Sequence, residues 1–167
     1  MIAPVLSFTA EEVWSTLHAD KEESVFLHSI HVLPFVADAY TLKTNWKRVR
    51  EIRSFIQKVI EENRAAPGGM GSSLQAIISL TASKNDFALL SAFADDLKFI
   101  MITSAATVRE NSRGDAPIAY TLDVSTDPKC ARCWHYCADV GSNAEHATIC
   151  ARCVSNLFGE GEKRFYA

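Results

Sequence analysis

Leu42, Trp46, Val49, Ile52, Ile56, Val59 and Ile60 recur at spacings of three and four, the repeat that places apolar side chains on one face of a helix. This is the longest periodic run in the chain. It predicts a helix that stops before Pro67-Gly68-Gly69, which breaks the pattern and marks a boundary. Upstream, Thr9 reads as an N-cap, with Glu12 completing a capping box and Phe8 and Val13 at the staple positions. A short helix from about Ala10 to His18 follows, expected to bury Val13, Trp14 and Leu17. Residues 24–40, interrupted by Pro34, are predicted irregular. Past the glycines the period changes. Leu74, Ala76, Ile78 and Leu80 alternate as a strand does, and Phe87, Leu90, Phe93 and Leu97 keep helical spacing. Lys98–Thr103 reads as a buried strand, and Ile118, Tyr120, Leu122 and Val124 alternate again. The expected order there is β-α-β-β.

Composition changes this picture little. Apolar content of 48% and charged content of 22% are those of an ordinary globular chain, and 167 residues suffice for one core or two small ones. No apolar run approaches the roughly 18 to 20 residues needed to span a bilayer. The N-terminal stretch lacks the basic flank and cleavage site of a signal peptide. A cytoplasmic protein without membrane contact is expected. The net charge of −3 does not advertise a nucleic-acid binder, yet charge is segregated. Lys43, Lys47, Arg48, Arg50, Arg53, Lys58 and Arg64 fall in residues 43–64 against only Glu51, Glu61 and Glu62. Such a segment can meet a polyanion, although a basic helix face is more often simply solvated.

The strongest chemical signal is at the C-terminal end. All 5 cysteines lie in KCARCWHYCADVGSNAEHATICARCV, residues 129–154. Cys130, Cys133, Cys150 and Cys153 form two C-x-R-C knuckles in the C-x2-C…C-x2-C spacing of a zinc site. Each knuckle offers two thiolates on one tight turn, and the residues between fold back to bring the pairs together. Four protein ligands leave no position for an activated water, so the expected zinc is structural. Bound structural zinc contributes about 10 to 16 kcal/mol of apparent binding energy at neutral pH, and a segment with few core residues should not fold without it. Cys137 is left over. His135 and His146 are alternative donors, read chiefly as surface residues. Around the knuckles Arg132, Trp134, His135, Arg152, Lys163 and Arg164 supply cations and a large aromatic, the groups that contact phosphates and stack on unpaired bases. Trp134 packing over the knuckle as a small core is the competing reading. Other chemistry finds no support: the glycines of residues 67–71 lack the Lys-Ser or Lys-Thr of a phosphate loop, and no nucleophile–base constellation is evident.

The run KCARCWHYCADVGSNAEHATICARCVSNLFGEGEKRF resembles the C-terminal zinc module of bacterial isoleucyl-tRNA synthetases. The likeness extends to PVLSFTAEEVW and to TNWKRVREIRSFIQKVIEENRAAPGGMGSSLQAIISL, and so covers nearly the whole chain. It implies a mainly α chain with a small α/β (β-α-β-β) subdomain and a C-terminal four-cysteine zinc-finger module. The expected divisions are residues 1–66, the C-terminal part of a helical anticodon-binding domain; residues 67–127, the small α/β subdomain; and residues 128–167, the zinc module. The family's nucleotide-binding motifs are absent, as is the length for its catalytic and editing domains. The chain therefore reads as a fragment without activity of its own, ATP being a cofactor of the parent enzyme only. The implied partners are isoleucine tRNA and the remainder of the synthetase, with the protein expected to be a monomer. Lys47 and Arg50 join Arg132, Trp134, His135, Arg152, Lys163 and Arg164 as expected RNA contacts. Two rivals remain. Formamidopyrimidine-type DNA glycosylases carry a similar finger but need a proline after the initiator, where this chain has Ile2. A stand-alone zinc interaction module would need no nucleic acid.

Overall fold

The computed structural model describes residues 2–18, 23–112, 114 and 116–162. The chain forms two compact units, residues 1–39 and residues 40–167.

In the first unit, helix α1 runs Ser7–Leu17, earlier than the expected start. Thr9 lies inside the helix, so the predicted capping box does not form. Leu6 is the N-cap and offers no side-chain bond. The helix starts early because a turn is already wound through Ile2, Pro4 and Leu6: the Ile2 carbonyl accepts from Val5 and Leu6, and Leu6 accepts from Ala10. Proline suits such a first turn because its missing N–H would have no partner there. Glu11, rather than Glu12, does the bonding, its carboxylate accepting from Ser24 Oγ at 2.9 Å and the Val25 N–H at 3.0 Å. That contact anchors a 3-10 turn at Val25–Leu27 within the segment expected to be irregular. The predicted burial also fails. Val13 and Leu17 are exposed and only Ala10 is buried, while Trp14 is half-buried and donates to the Glu23 carbonyl at 2.9 Å. Phe8, Leu27, Val32 and Phe35 are exposed as well.

The second unit is built on helix α2, Ala39–Ala65, whose predicted stripe buries Val49, Ile52, Ile56, Val59 and Ile60. The turn that ends it requires Gly69, where a Cβ would lie 1.9 Å from the Asn63 carbonyl oxygen. Strand β1, Ala76–Ala82, follows, then α3, Lys84–Ser91, and α4, Leu97–Met101, then β2, Ala105–Glu110, and β3, Ala119–Val124. The sheet order is β2-β1-β3. β1 runs parallel to β2, with Leu80 opposite Val108, and antiparallel to β3, with Leu80 opposite Tyr120. The alternation of β1 sends Ala76, Ile78, Leu80 and Ala82 into the core. There Ile78 and Leu80 meet Ile52, Ile56 and Ile60 of α2 and Leu90, Leu97 and Met101 of α3 and α4.

Two expectations are corrected here. Lys98–Thr103 is not a strand: α4 occupies most of it and the second strand begins at Ala105. A short apolar run fits either element, and Leu97 and Met101, four residues apart, bury together on a helix face. Ile102 ends α4 in the left-handed conformation, and Thr103 donates back to the Lys98 carbonyl at 3.0 Å. The single helix expected across Phe87, Leu90, Phe93 and Leu97 is two, divided by a 3-10 turn at Ala94–Asp96. α2 helps to close the second of them, with Arg53 donating to the Ile100 carbonyl at 2.9 Å and Gln57 to that of Met101 at 2.5 Å. Compactness does not change after residue 66, because α2 shares one core with the sheet.

Candidate zinc centre and nucleic-acid interface

The first knuckle turns on short-range bonds: Cys130 donates to the His135 carbonyl at 2.9 Å, and its own carbonyl accepts from Trp134 at 3.0 Å. Ala131 donates to the Thr148 carbonyl at 3.0 Å, which draws the second knuckle alongside. The chain between them reverses at Gly141, whose φ is +81° and where a Cβ would crowd the Ala147 carbonyl oxygen at 2.9 Å. Only glycine meets both conditions readily. Cys150 is the N-cap of α5, Ala151–Phe158, and Cys153 lies in its first turn. Two sulfurs thus sit where a helix presents free N–H groups and the positive end of its dipole.

All five cysteines are unpaired. The sulfur atoms of Cys130, Cys133, Cys150 and Cys153 lie within 4.8 Å of one another. Cys130 and Cys153 are 3.8 Å apart, as are Cys133 and Cys150. A tetrahedron with metal–sulfur bonds of about 2.3 Å has sulfur–sulfur edges of about 3.8 Å, so these two pairs already have the spacing that zinc requires. Burial opposes ionisation of Cys130, but backbone N–H groups of Cys133, Cys150 and Arg132 outweigh it and bring the thiol down to about 6. Burial pushes Cys150 up to about 12 and also raises Cys153. Bound zinc would hold these sulfurs as thiolates, and its role here is to fix the backbone of the two knuckles.

The surrounding residues divide into two kinds. Trp134 is 60% exposed, so it is no core plug, and it holds the unusual φ of +64°. The Lys129 ammonium lies 5.6 Å from its ring centre. Arg132 is exposed and donates toward Cys153 Sγ at 3.6 Å. His135 and Arg152 turn inward instead. His135 is half-buried, with Nδ1 3.1 Å from the Cys133 carbonyl and its ring steeply inclined to that of Phe99 of α4, centres 5.5 Å apart. Arg152 lies over the same Phe99 ring at 4.8 Å and pairs with Glu162 at 3.3 Å. Burial works against its charge, but the Cys133 thiol, Glu162 and Cys153 raise the guanidinium above its ordinary value.

Lys47 and Arg50 are exposed on α2 and, with Lys43, enter none of the ion pairs among the described residues, whereas Arg48, Lys58 and Arg64 are paired. Lys163 and Arg164 lie outside the described residues. Cys137 converges with Asp139 and Cys150 within 4.8 Å, sharing Cys150 with the main set. Burial, reinforced by the neighbouring Cys150, Asp139 and Cys133, pushes its thiol up to about 12. His146 stacks flat on Phe158 at 3.9 Å, away from the ligand role considered for it. The sequence reading missed Lys129, Phe99 and Ser104. The first was readable as the neighbour of Cys130; the other two lie too far along the chain for any local pattern to join them to the knuckles.

The family pattern described as a zinc finger found in FPG and IleRS matches residues 127–156, the segment that holds all four converging thiols. Over the whole chain the sequence is 47% identical to the isoleucine–tRNA ligase of Nitrosomonas europaea, of which it covers 18%. It is 46% identical to that of a Janthinobacterium species, again over 100% of this chain and 18% of the relative. For the Thiobacillus denitrificans enzyme the identity is 49% over 99% of this chain and 17% of the relative. The chain thus spans less than a fifth of the curated relatives it matches, and its whole length is similar to a part of these bacterial isoleucine–tRNA ligases.

Proposed function

We propose that this chain is the tRNA-docking C-terminal part of an isoleucine–tRNA ligase. In this reading it grips the anticodon stem-loop of isoleucine tRNA in the cytoplasm while the rest of the enzyme attaches isoleucine using ATP. The observation that carries the reading is Trp134. A large indole stands in solvent on a metal-pinned loop, in a backbone conformation that costs energy, beside a lysine. Strain of this kind concentrates at functional sites, and although the positive φ lets the Trp134 N–H close the knuckle onto the Cys130 carbonyl, burial of the indole does not repay it. An unpaired base stacking on the indole would gain about 1 to 3 kcal/mol, with Lys129 and Arg132 placed to meet the neighbouring phosphates. Lys47 and Arg50 offer a second cationic surface on the helical part, residues 1–66. Phosphate contacts position the RNA, and contacts with splayed-out bases select it.

The remainder of the synthetase is the second partner of this reading. Exposed Phe8, Leu27, Val32 and Phe35 in the first unit are apolar surface of the kind a larger domain covers, and the relatives supply more than four-fifths of a chain to cover it. The α/β subdomain, residues 67–127, would carry the zinc module, residues 128–167. The finger pattern alone would also suit a DNA-binding finger, but the similarity that runs through the whole chain is to the ligases.

Titrating the zinc-loaded chain with isoleucine tRNA, an unrelated tRNA and duplex DNA over a range of salt tests the proposal. The expected result is salt-dependent binding that prefers isoleucine tRNA. Preference for duplex DNA would support the glycosylase-like reading, and absence of binding to all three would support a protein-interaction module.

A further inference from the structure

Ser104 joins three parts of the second unit through one hydroxyl. It is 9% exposed, between the end of α4 and the start of β2. Its Oγ donates to the Leu74 carbonyl ahead of β1. The same oxygen accepts the Tyr136 N–H of the zinc module at 2.6 Å, and the Ser104 N–H donates to the Ala76 carbonyl at 3.0 Å. Tyr136 in turn bridges to Lys129, immediately before the first ligand. A second fastening lies beside it. Phe99 packs against the His135 ring and the guanidinium of Arg152, and each of these residues comes two positions after a zinc-site cysteine, His135 after Cys133 and Arg152 after Cys150. Arg152 is held from behind by Glu162, whose carboxylate also accepts from Asn156 at 3.0 Å. An arginine occupied in this way, with its side chain 23% exposed, is committed to the seam.

We infer that Ser104 and Arg152 are positioning residues that clamp the zinc module onto the α4–β2 corner and so fix the direction in which Trp134 faces. Zinc shapes the knuckles; the clamp aims them. Arg152, read from sequence as an RNA contact, acts through Phe99 instead. The inference rests on the proposed tRNA role only for its consequence in binding; the orientation itself can be measured without RNA.

The test compares residual dipolar couplings of residues 76–124 with those of residues 129–158 in the zinc-loaded chain. The parent chain, Ser104→Ala, Ser104→Thr, Arg152→Lys and the Ser104→Ala/Arg152→Lys double variant are measured, each with its zinc content. In the parent chain both segments should fit one alignment tensor. Ser104→Ala leaves Tyr136 and Leu74 without their shared partner, and lysine keeps the charge but loses the planar group that lies on Phe99. The double variant should keep one zinc yet need two different tensors, and Ser104→Thr should restore the parent pattern. Affinity for isoleucine tRNA should fall about tenfold in the double variant, the loss that follows from a misdirected contact surface worth about 1.4 kcal/mol. One shared tensor in a zinc-loaded double variant would overturn the inference; should that variant not fold, a shared tensor in both single variants would do the same. A parent chain that shows one tensor but binds no tRNA would refute the functional proposal and leave the clamp standing.

Discussion

Trp134 sits in a conformation that its own Cβ resists, with φ at +64° and the indole largely in water. A hydrophobic anchor would repay such strain with burial, and burial is what it lacks. Two substitutions separate backbone from side chain. Trp134→Ala removes the indole and keeps the strain, whereas Trp134→Gly removes both. Glycine should therefore leave the zinc-loaded protein about 1 kcal/mol more stable than alanine does, as read from thermal or denaturant unfolding. Equal stability would show that the positive φ carries no strain. At this scale the sequence was legible where chemistry is set by near neighbours. The paired C-x-R-C turns announce four converging thiols because each pair is closed by bonds within a few residues. Arg152 was illegible because its partner Phe99 lies on a different element, and nothing in the knuckle's own spacing separates an inward arginine from an outward one.

Among the elements, the burial of α2 was legible and that of α1 was not, for one physical reason. From Val49 to Ile60 the stripe of α2 has a sheet and two helices to pack against, so periodicity and burial agree there, while Leu42 at its start stays exposed. The apolar residues of α1 have no such cover among the described residues, so the pattern predicted a helix correctly and its burial incorrectly. The strand expected at Lys98–Thr103 failed because six residues cannot distinguish the two periods, and burial of Leu97 with Met101 decided for a helix. α2 is also tied to α3 by Arg48, which holds Asp86 with both oxygens, Nε to Oδ1 at 2.8 Å and Nη2 to Oδ2 at 2.7 Å. The Arg48 hydrogen bonds outweigh burial and hold the Asp86 carboxyl below its ordinary 3.8. A depressed folded-state value stabilises the fold above the unfolded value, and that stability is lost as pH falls through the folded one. Asp86→Asn should accordingly lower stability at pH 7 by about 1 to 2 kcal/mol, discounted because Arg48 is partly in water. The difference from the parent chain should shrink only below about pH 4. Denaturant unfolding at pH 7 and pH 3 reads this directly; a gap that is unchanged at pH 3 would exclude Asp86 as its source.

At the scale of the molecule, two different means hold the second unit together. Burial of Ile56, Ile78, Leu80 and Leu90 secures the helices and sheet, while the tail around Cys130, Cys150 and Cys153 has almost no apolar core beyond the thiols and Val140 and Ile149. Chelation should therefore act unequally. Stripping zinc is expected to abolish hydrogen-exchange protection across residues 129–158 and leave amides of Ile56, Ile78 and Leu80 protected. Loss of protection in both regions at once would mean that the metal supports the entire unit. Changes of period and composition suggest three segments; compactness, a separate property, changes at residue 39. A boundary in packing depends on which faces meet, and a helix that ends before Pro67 can still lend its whole buried face to the strands that follow.

Whether the zinc-pinned indole touches RNA decides the proposed role of this chain. The direct measurement is the affinity of zinc-loaded Trp134→Ala for isoleucine tRNA beside the parent chain, with zinc content and thermal stability recorded on the same samples. A base lost from a stacking platform worth about 1 to 3 kcal/mol predicts binding weakened by roughly ten- to a hundredfold, with one zinc per chain and an intact fold. Unchanged affinity in a folded, zinc-loaded variant would contradict it.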